Sequence, residues 1–480
     1  MSIETKEDCF RPWLRPLALV LSSLALAVNV GWAQVGCSPT APPGLLPSEE
    51  DYSDLRDPAR RTNLIDKLHY LPLGEQEQSY LSLGGELREW YEFYSHPDFG
   101  EGPDVPNRYL LQRYLGYADL HLGSRLRLFG ELGSELEDGR KGGPRPQIDE
   151  ARMIIQQAFA DFSLPQTQDS SLTLRAGRQE MELGSGRFVD VREGPNVRQS
   201  FEGLKLTGCT AGWRVDLFAV KPINDLPGFF ASRPFYHTSF WGAYATHPIS
   251  MIAGSHADLY YFGFRQLTSV YDQGAGRELR HTLGSRLFGQ RGQWDYDEEA
   301  AYQFGSFGSG NIRAWTADTN TGYQLAGWRW KPRFVLRTDA ASGNKNGKSL
   351  NLETFNPLFP ILRYSPGQEG TIMPANLLDV HPQAELHPRG NLLVTFDSDF
   401  LWRESLYDGI YVPGPVLVVS GLNSRARYIG DKNGVEIDWL INPNVSYSIY
   451  YSNLLGGAFL RQSNLAHDVN YVATWIKLTL

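Results

Sequence analysis

Beyond residue 33 the chain has no apolar run approaching the ~18 residues a membrane-crossing helix needs, yet apolar and polar residues alternate in stretch after stretch. Between residues 80 and 94, Leu81, Leu83, Leu87, Tyr91 and Phe93 share one face, and Ser82, Glu86, Arg88 and Glu92 share the other. Between 108 and 122, Leu110, Tyr114, Gly116, Ala118, Leu120 and Leu122 oppose Arg113, Tyr117, Asp119 and His121. Between 125 and 137, Leu126, Leu128, Leu132 and Leu136 oppose Arg125, Arg127, Glu131, Glu135 and Glu137. A period of two puts successive side chains on opposite faces of a sheet, so these stretches read as strands. Similar runs follow at 213–220, 258–268, 292–304, 324–338, 392–403, 435–441 and 445–451. The last run places Val472, Thr474, Ile476, Leu478 and Leu480 on one face.

Two architectures share this pattern. A soluble sandwich turns its apolar face to a second sheet. A membrane barrel turns it to lipid and lines its lumen with the polar face. So many runs without a domain linker favour one closed barrel, the only way strands cross a bilayer with every backbone group satisfied. With 48 glycines and 29 prolines, turns are plentiful. Trp90, Trp241, Trp328, Trp330, Trp402 and Trp439 fall near strand ends, where aromatic girdles at the bilayer interfaces would place them.

Residues 1–33 read as a secretory signal: Lys6, Arg11 and Arg15 precede an apolar stretch from Leu17 to Val30, and Gly31-Trp32-Ala33 fits a small-x-small cleavage site. Residues 34–79, with Pro39, Pro42, Pro43 and Pro47 leading into Ser48-Glu49-Glu50-Asp51, read as a periplasmic lead-in. Cys9 falls in the signal; Cys37 and Cys209 could pair, but they form neither a disulfide framework nor a metal motif. The net charge of −9 lacks the basic footprint of a nucleic-acid binder. Arginine nevertheless outnumbers lysine heavily, and its planar fork suits carboxylates.

The arginines crowd between Leu172 and Leu206. There a strand ending Gly177-Arg178-Gln179-Glu180 leads through Gly184-Ser185-Gly186-Arg187 and Arg192-Glu193-Gly194-Pro195-Asn196-Val197-Arg198 to Ser200-Phe201-Glu202-Gly203. In content and order this resembles the alginate-export family of outer-membrane β-barrel porins. Further landmarks are Asn356-Pro357-Leu358-Phe359-Pro360, Pro374-Ala375-Asn376-Leu377, Trp402-Arg403-Glu404-Ser405 and Arg427-Tyr428-Ile429-Gly430. The resemblance spans about residues 80–480. It implies an all-β, transmembrane, antiparallel up-and-down β-barrel of about 18 strands in a Gram-negative-type outer membrane, with an arginine-rich, electropositive lumen. Strand parity then puts Arg88, Arg113, Arg125, Arg127, Arg175 and Arg403 on the substrate path, and Arg152 by the same logic. Arg178, Arg187, Arg192 and Arg198 are expected at strand ends or in an infolded connector near the constriction. Asp119, Glu131 and Asp216 are expected as their acidic partners.

Enzyme signatures are missing: no Gly-x-Ser-x-Gly, His-Glu-x-x-His or Gly-x-Gly-x-x-Gly occurs. Gly343 to Ser349 is one residue short of a phosphate loop, and His381 and His387 lack further ligands at zinc-like spacing. Alternate carboxylates at Asp397 and Asp399, or Glu436 and Asp438, read as wall residues, though a polysaccharide-degrading enzyme stays open as an alternative. The resemblance implies passage of an anionic, alginate-like polyuronate without a cofactor, with membrane lipid and periplasmic export components as partners. A porin of the same fold for another solute is the main alternative.

Overall fold

The first strand of the wall pairs with the last. In this computed structural model, which describes residues 45–480 except 75–78, 101–104, 165–169, 362–369 and 466, 18 antiparallel strands form a closed barrel. They are β1 (Tyr80–Tyr94), β2 (Asn107–Leu122), β3 (Leu126–Asp138), β4 (Ala151–Ser163), β5 (Ser170–Glu180), β6 (Ser200–Thr210), β7 (Trp213–Asn224), β8 (Thr238–Ile249) and β9 (Ser255–Tyr271). The second half comprises β10 (Gly274–Arg291), β11 (Trp294–Phe307), β12 (Gly310–Gln324), β13 (Arg333–Ala341), β14 (Leu377–Arg389), β15 (Leu392–Arg403), β16 (Tyr428–Asn442), β17 (Val445–Gly456) and β18 (Val469–Thr479). Each strand pairs with its chain neighbour, and the seam runs from Glu86 opposite Thr479 to Tyr94 opposite Tyr471. Leu480 extends it, exchanging backbone hydrogen bonds with Gly85 at 2.8 and 3.2 Å. No helix among the described residues is long and apolar enough to cross a membrane.

Burial along the strands separates the two architectures. On β1, Ser82, Glu86, Arg88 and Glu92 are buried while Leu87 and Tyr91 are exposed. Leu128, Leu132, Phe162, Leu204, Leu259, Leu283, Phe334 and Phe396 continue this exposed apolar belt around the wall. A soluble protein does not leave so much contiguous aliphatic surface uncovered. The wall instead has the inverted polarity of a barrel in lipid.

Most turns at the end holding the start of β1 and the end of β18 are short, such as 123–125, 211–212, 390–391 and 443–444. The longer connections, 181–199, 225–237, 342–376 and 404–427, all lie at the other end. Short turns mark the periplasmic end of an outer-membrane barrel. Trp213, Trp294, Trp328, Trp330 and Trp439 are exposed at that end, where an interfacial girdle belongs.

Two expectations differ from the structure. Trp90 faces the interior, 1% exposed and stacked on Trp475 at 4.1 Å, because β1 alternates without interruption and gives it the parity of Arg88. The single run expected at 324–338 is divided: β12 ends at Gln324, and a turn with Trp330 and Lys331 in the left-handed region (φ 66° and 44°) leads to β13.

An arginine at position 283, mid-strand on the outer face of β10, should cost about 2–4 kcal/mol of folding free energy, while phenylalanine there should be close to neutral. Urea-dependent refolding of Leu283→Arg and Leu283→Phe into lipid vesicles measures the difference.

Candidate functional site

The hairpin β5–β6 is short, 11 residues per strand, and its connector folds into the barrel instead of rising from it. Gly177 (φ 134°) lets β5 lie tight against β4, since a Cβ would collide with the Ala158 carbonyl oxygen. Gly184 (φ 64°) then brings the connector against the Tyr244 hydroxyl, again with no room for a Cβ. Leu183, Phe188 and Val189 enter an aromatic cluster with Phe201, Phe240, Phe262 and Phe359. The 342–361 segment meets the connector there: Asp190 N–H donates to Phe359 O at 2.9 Å, Phe359 N–H to Phe188 O at 2.9 Å, and Ile361 N–H to Gly186 O at 2.8 Å. On the opposite wall, the Asn196 amide lies 2.9–3.1 Å from the carbonyl oxygens of Gln112, Leu136 and Asp149. The connector therefore spans the lumen from β2–β3 to β6–β9, with apolar contacts on one side and charged contacts on the other.

Glu193 is the centre of the charged side. Its carboxylate lies 2.6 Å from Arg113, 3.6 Å from Lys477 and 3.7 Å from Arg198, and its carbonyl accepts from Arg88 at 2.7 Å. Arg113 also pairs with Glu86 at 2.7 Å, and Arg198 with Glu180 at 2.9 Å. Buried charges need such partners, because leaving one alone costs several kcal/mol.

A cavity opens on each side of this constriction. The outer one, about 660 Å³, is lined by Arg140, Arg145, Arg192, Glu92 and Tyr109 among others. The inner one, about 430 Å³, gathers Arg125, Arg127, Arg175, Lys205 and Arg214 with Glu49 and Asp161. Glu49 belongs to the N-terminal segment, which enters the lumen from the short-turn end; Leu46 there packs on Val191 of the connector. Beyond it, helix α1 (Leu64–His69) starts in a capping box between Asn63 and Asp66. Just past β7, burial pushes the Asp225 carboxyl up to about 6, with Ser232, Arg178 and Arg192 pulling the other way.

The arginines expected on the path are distributed unequally. Arg88, Arg113, Arg127, Arg175, Arg187 and Arg198 point inward, and each meets a carboxylate or a backbone carbonyl. Arg127 forks onto Asp119 with two bonds of 2.7 Å, Arg175 onto Asp161 at 2.8 and 2.9 Å, and Arg187 bridges Asp318 (2.7 Å) and Asp339. Arg192 lies in the connector with φ 57°, its N–H donating to Asp190. Arg125 sits in the 123–125 turn, exposed at the rim of the inner cavity and outside the strand. Arg152 does not face the lumen: the two one-residue register shifts between β3 and β4 cancel, leaving it on the outward parity of Ala158 and Phe162, 59% exposed and paired with Glu150. Arg178, three residues after inward-facing Arg175, falls on the outer face, where it donates to Ile155 O and pairs with Glu202 at 3.3 Å. Arg403 is fully buried but occupied with loop backbone, donating to the carbonyls of Ala426, Asp408 and Ser424 over the Phe459 ring. Of the acidic set, Asp119 meets Arg127, Asp216 meets Arg214 at 2.9 Å and Lys205 at 3.7 Å, and Glu131 accepts from Gln157 at 2.8 Å.

Sequence reasoning missed Glu193, Glu180, Lys205 and the outer pair Arg140 and Arg145. Lys205 was legible, since it lies opposite Arg175 in the β5–β6 register. It also missed a wall cluster: His381 lies 2.7 Å from Asp399, and Asp379, His381 and Asp399 converge within 4.8 Å. The Lys432 ammonium, 2.6 Å from Asp399 and 3.2 Å from Asp397, supplies the positive charge there. Cys209 is disulfide-bonded; Cys37, weighed above as its partner, lies outside the described residues.

A family model described as alginate export matches residues 79–473. Among solved structures, the chain is similar to OccK11 (OpdR) of Pseudomonas aeruginosa at 13% identity, covering 85% of this chain and 98% of that one, with a TM-score of 0.52. A BenF-like porin from Pseudomonas fluorescens matches at 13% identity over 83% and 99%, TM-score 0.56. Pseudomonas aeruginosa OpdK, solved with vanillate, matches at 12% over 86% and 99%, TM-score 0.55. At these identities the likeness is one of fold. No curated protein matches the chain.

The Asp225 carboxyl holds its proton longer in the folded chain than in the unfolded one, so its contribution to stability declines as pH rises from the usual carboxylate range through about 6. Below that pH it no longer offsets Arg192. Reversal potentials in a salt gradient should therefore move toward anion selectivity as pH falls from 7 to 5, and Asp225→Asn should show a smaller pH step.

Proposed function

Because this chain belongs to the alginate-export family, we propose that its lumen passes an anionic polysaccharide of the polyuronate class across the outer membrane. The chain is an outer-membrane β-barrel channel, and its family and structural neighbours are export channels and porins. The observation that carries the reading is the cation-lined cavity on either side of the connector, with Arg140, Arg145 and Arg192 outside and Arg127, Arg175, Lys205 and Arg214 inside.

A polyuronate carries one carboxylate per sugar. Its passage calls for successive weak anion sites that exchange, rather than one tight site. Arg145 in the outer cavity and Arg127, Arg175 and Arg214 in the inner one are each held by a fixed carboxylate, so an arriving carboxylate shares an arginine instead of finding a bare one. Sharing an arginine that keeps its own acid, rather than displacing that acid, is what allows both entry and release. In this reading residues 1–33 are removed after Ala33, the 34–79 segment approaches from the periplasmic side, no cofactor takes part, and periplasmic export components deliver the polymer.

A second reading is a channel for a small carboxylate. The modest size of the two cavities, about 660 and 430 Å³, favours it, because each alone suits a small solute.

Flux into proteoliposomes separates the readings. An oligouronate should enter faster than a neutral oligosaccharide of equal length, and Arg140→Ala with Arg145→Ala should slow it several-fold. Equal rates for the two oligomers, with rapid entry of a monomeric carboxylate, would favour the small solute.

A further inference from the structure

Five residues of the N-terminal segment, Leu45 to Glu49, are gripped by cations from three different elements. Arg198 of the connector donates to the Leu45 carbonyl at 2.6 Å, and Arg127 of β3 donates to the Ser48 carbonyl at 2.8 Å. Lys205 of β6 reaches the Glu49 carboxylate at 3.5 Å. Leu46 is 1% exposed, set against Val191. These five residues thus connect the inner cavity to the constriction and cover the cations facing it.

We propose that Leu45–Glu49 is an internal plug, and that the Glu49 carboxylate stands where a carboxylate of the transported anion sits during passage. The proposal rests on the polyuronate reading and adds to it a site and a means of closure. Three features support it. The groups held are two carbonyl oxygens and one carboxylate, the oxygens a uronate chain also offers. Lys205 lies 3.7 Å from Asp216 and Arg214 lies 2.9 Å from it, so the wall cations keep a partner when Glu49 departs. The grip on Glu49 is also incomplete: the nearest cation stands 3.5 Å from one oxygen, and the other oxygen makes no hydrogen bond among the described residues. A polyanion arriving from the periplasm would meet Arg125 at the rim, then compete with Glu49 for Lys205 and with the two carbonyls for Arg127 and Arg198.

By population shift, a plug that occupies the anion position lowers the apparent affinity of the anion by the fraction of channels left open. Weakening the plug should therefore raise conductance and tighten anion binding together. The test uses the full chain in planar bilayers with potassium chloride, then with an oligouronate added on the periplasmic side. Glu49→Gln should raise mean conductance about two- to five-fold, the range expected from losing one long ion pair of 3.5 Å, and lower the half-blocking oligouronate concentration by a similar factor. Glu49→Lys should do more in both respects, and Glu49→Asp should stay near the parent. Unchanged conductance in both Glu49→Gln and Glu49→Lys would overturn the plug. Raised conductance with an unchanged half-blocking concentration would overturn the stand-in role of Glu49. Raised conductance with no block of any protein would sink the polyuronate reading while upholding the plug.

Discussion

The carboxylate of Glu193 holds the inside of this barrel together. It sits among Arg113, Arg198 and Lys477 while its own carbonyl receives Arg88, so one connector residue gathers cations from the first, second and last strands and from the connector itself. The constraint behind it is general. A guanidinium buried in a lumen loses its water and must recover the cost from fixed acceptors, or the fold loses about 3–5 kcal/mol. Arg113 is wholly buried and has two acidic partners, Glu86 and Glu193. Only the second is free to move with a loop, so the position of the connector and the pairing of the wall arginines are one problem with one solution.

That solution divides the lumen lengthwise. Toward β6–β13 the connector and the 342–361 segment bury Phe188, Phe355, Leu358 and Phe359 against Phe201, Phe218, Phe240 and Phe262, an aromatic core inside the barrel. Ion pairs line the wall on both sides of this cluster, from Arg113–Glu86 and Arg127–Asp119 to Arg187–Asp318 and Arg286–Asp297, and the two cavities lie beside the connector. Buried carboxylates pair with most of the lumen arginines, so the acidic net charge and the cation-lined cavities are compatible, as the proposed passage of an anion requires.

The strand alternation revealed the wall well. On β1 every residue assigned inward from its parity is buried, because an uninterrupted strand keeps its period of two. Parity misleads in two places. Arg152 counts with outward Ala158 and Phe162 once the whole of β4 is taken as one strand, because the two register shifts beside it cancel, and the run at 324–338 hid a turn because Trp328 and Trp330 are as apolar as strand residues. Arg403 shows a different limit: its inward parity is right, but its role is to bind the carbonyls of the 404–427 loop, a fact about tertiary contacts. The infolding of Arg187 and Arg198 could be anticipated from the glycines around them, whereas their partners Asp318, Asp339 and Glu180 come from distant strands or the far side of the connector. Local pattern sets faces; only closure of the barrel sets pairs.

The most direct test of this account is the reversal potential of Glu193→Gln in a potassium chloride gradient, compared with the parent, on protein whose folded barrel is verified by resistance to unfolding in detergent on heating. Removing the acid that Arg113, Arg198 and Lys477 share, while Glu86 and Glu180 stay in place, should shift the channel toward anions. An unchanged reversal potential in a folded barrel would mean that ions do not pass beside Glu193, and that the connector is not the constriction of the path.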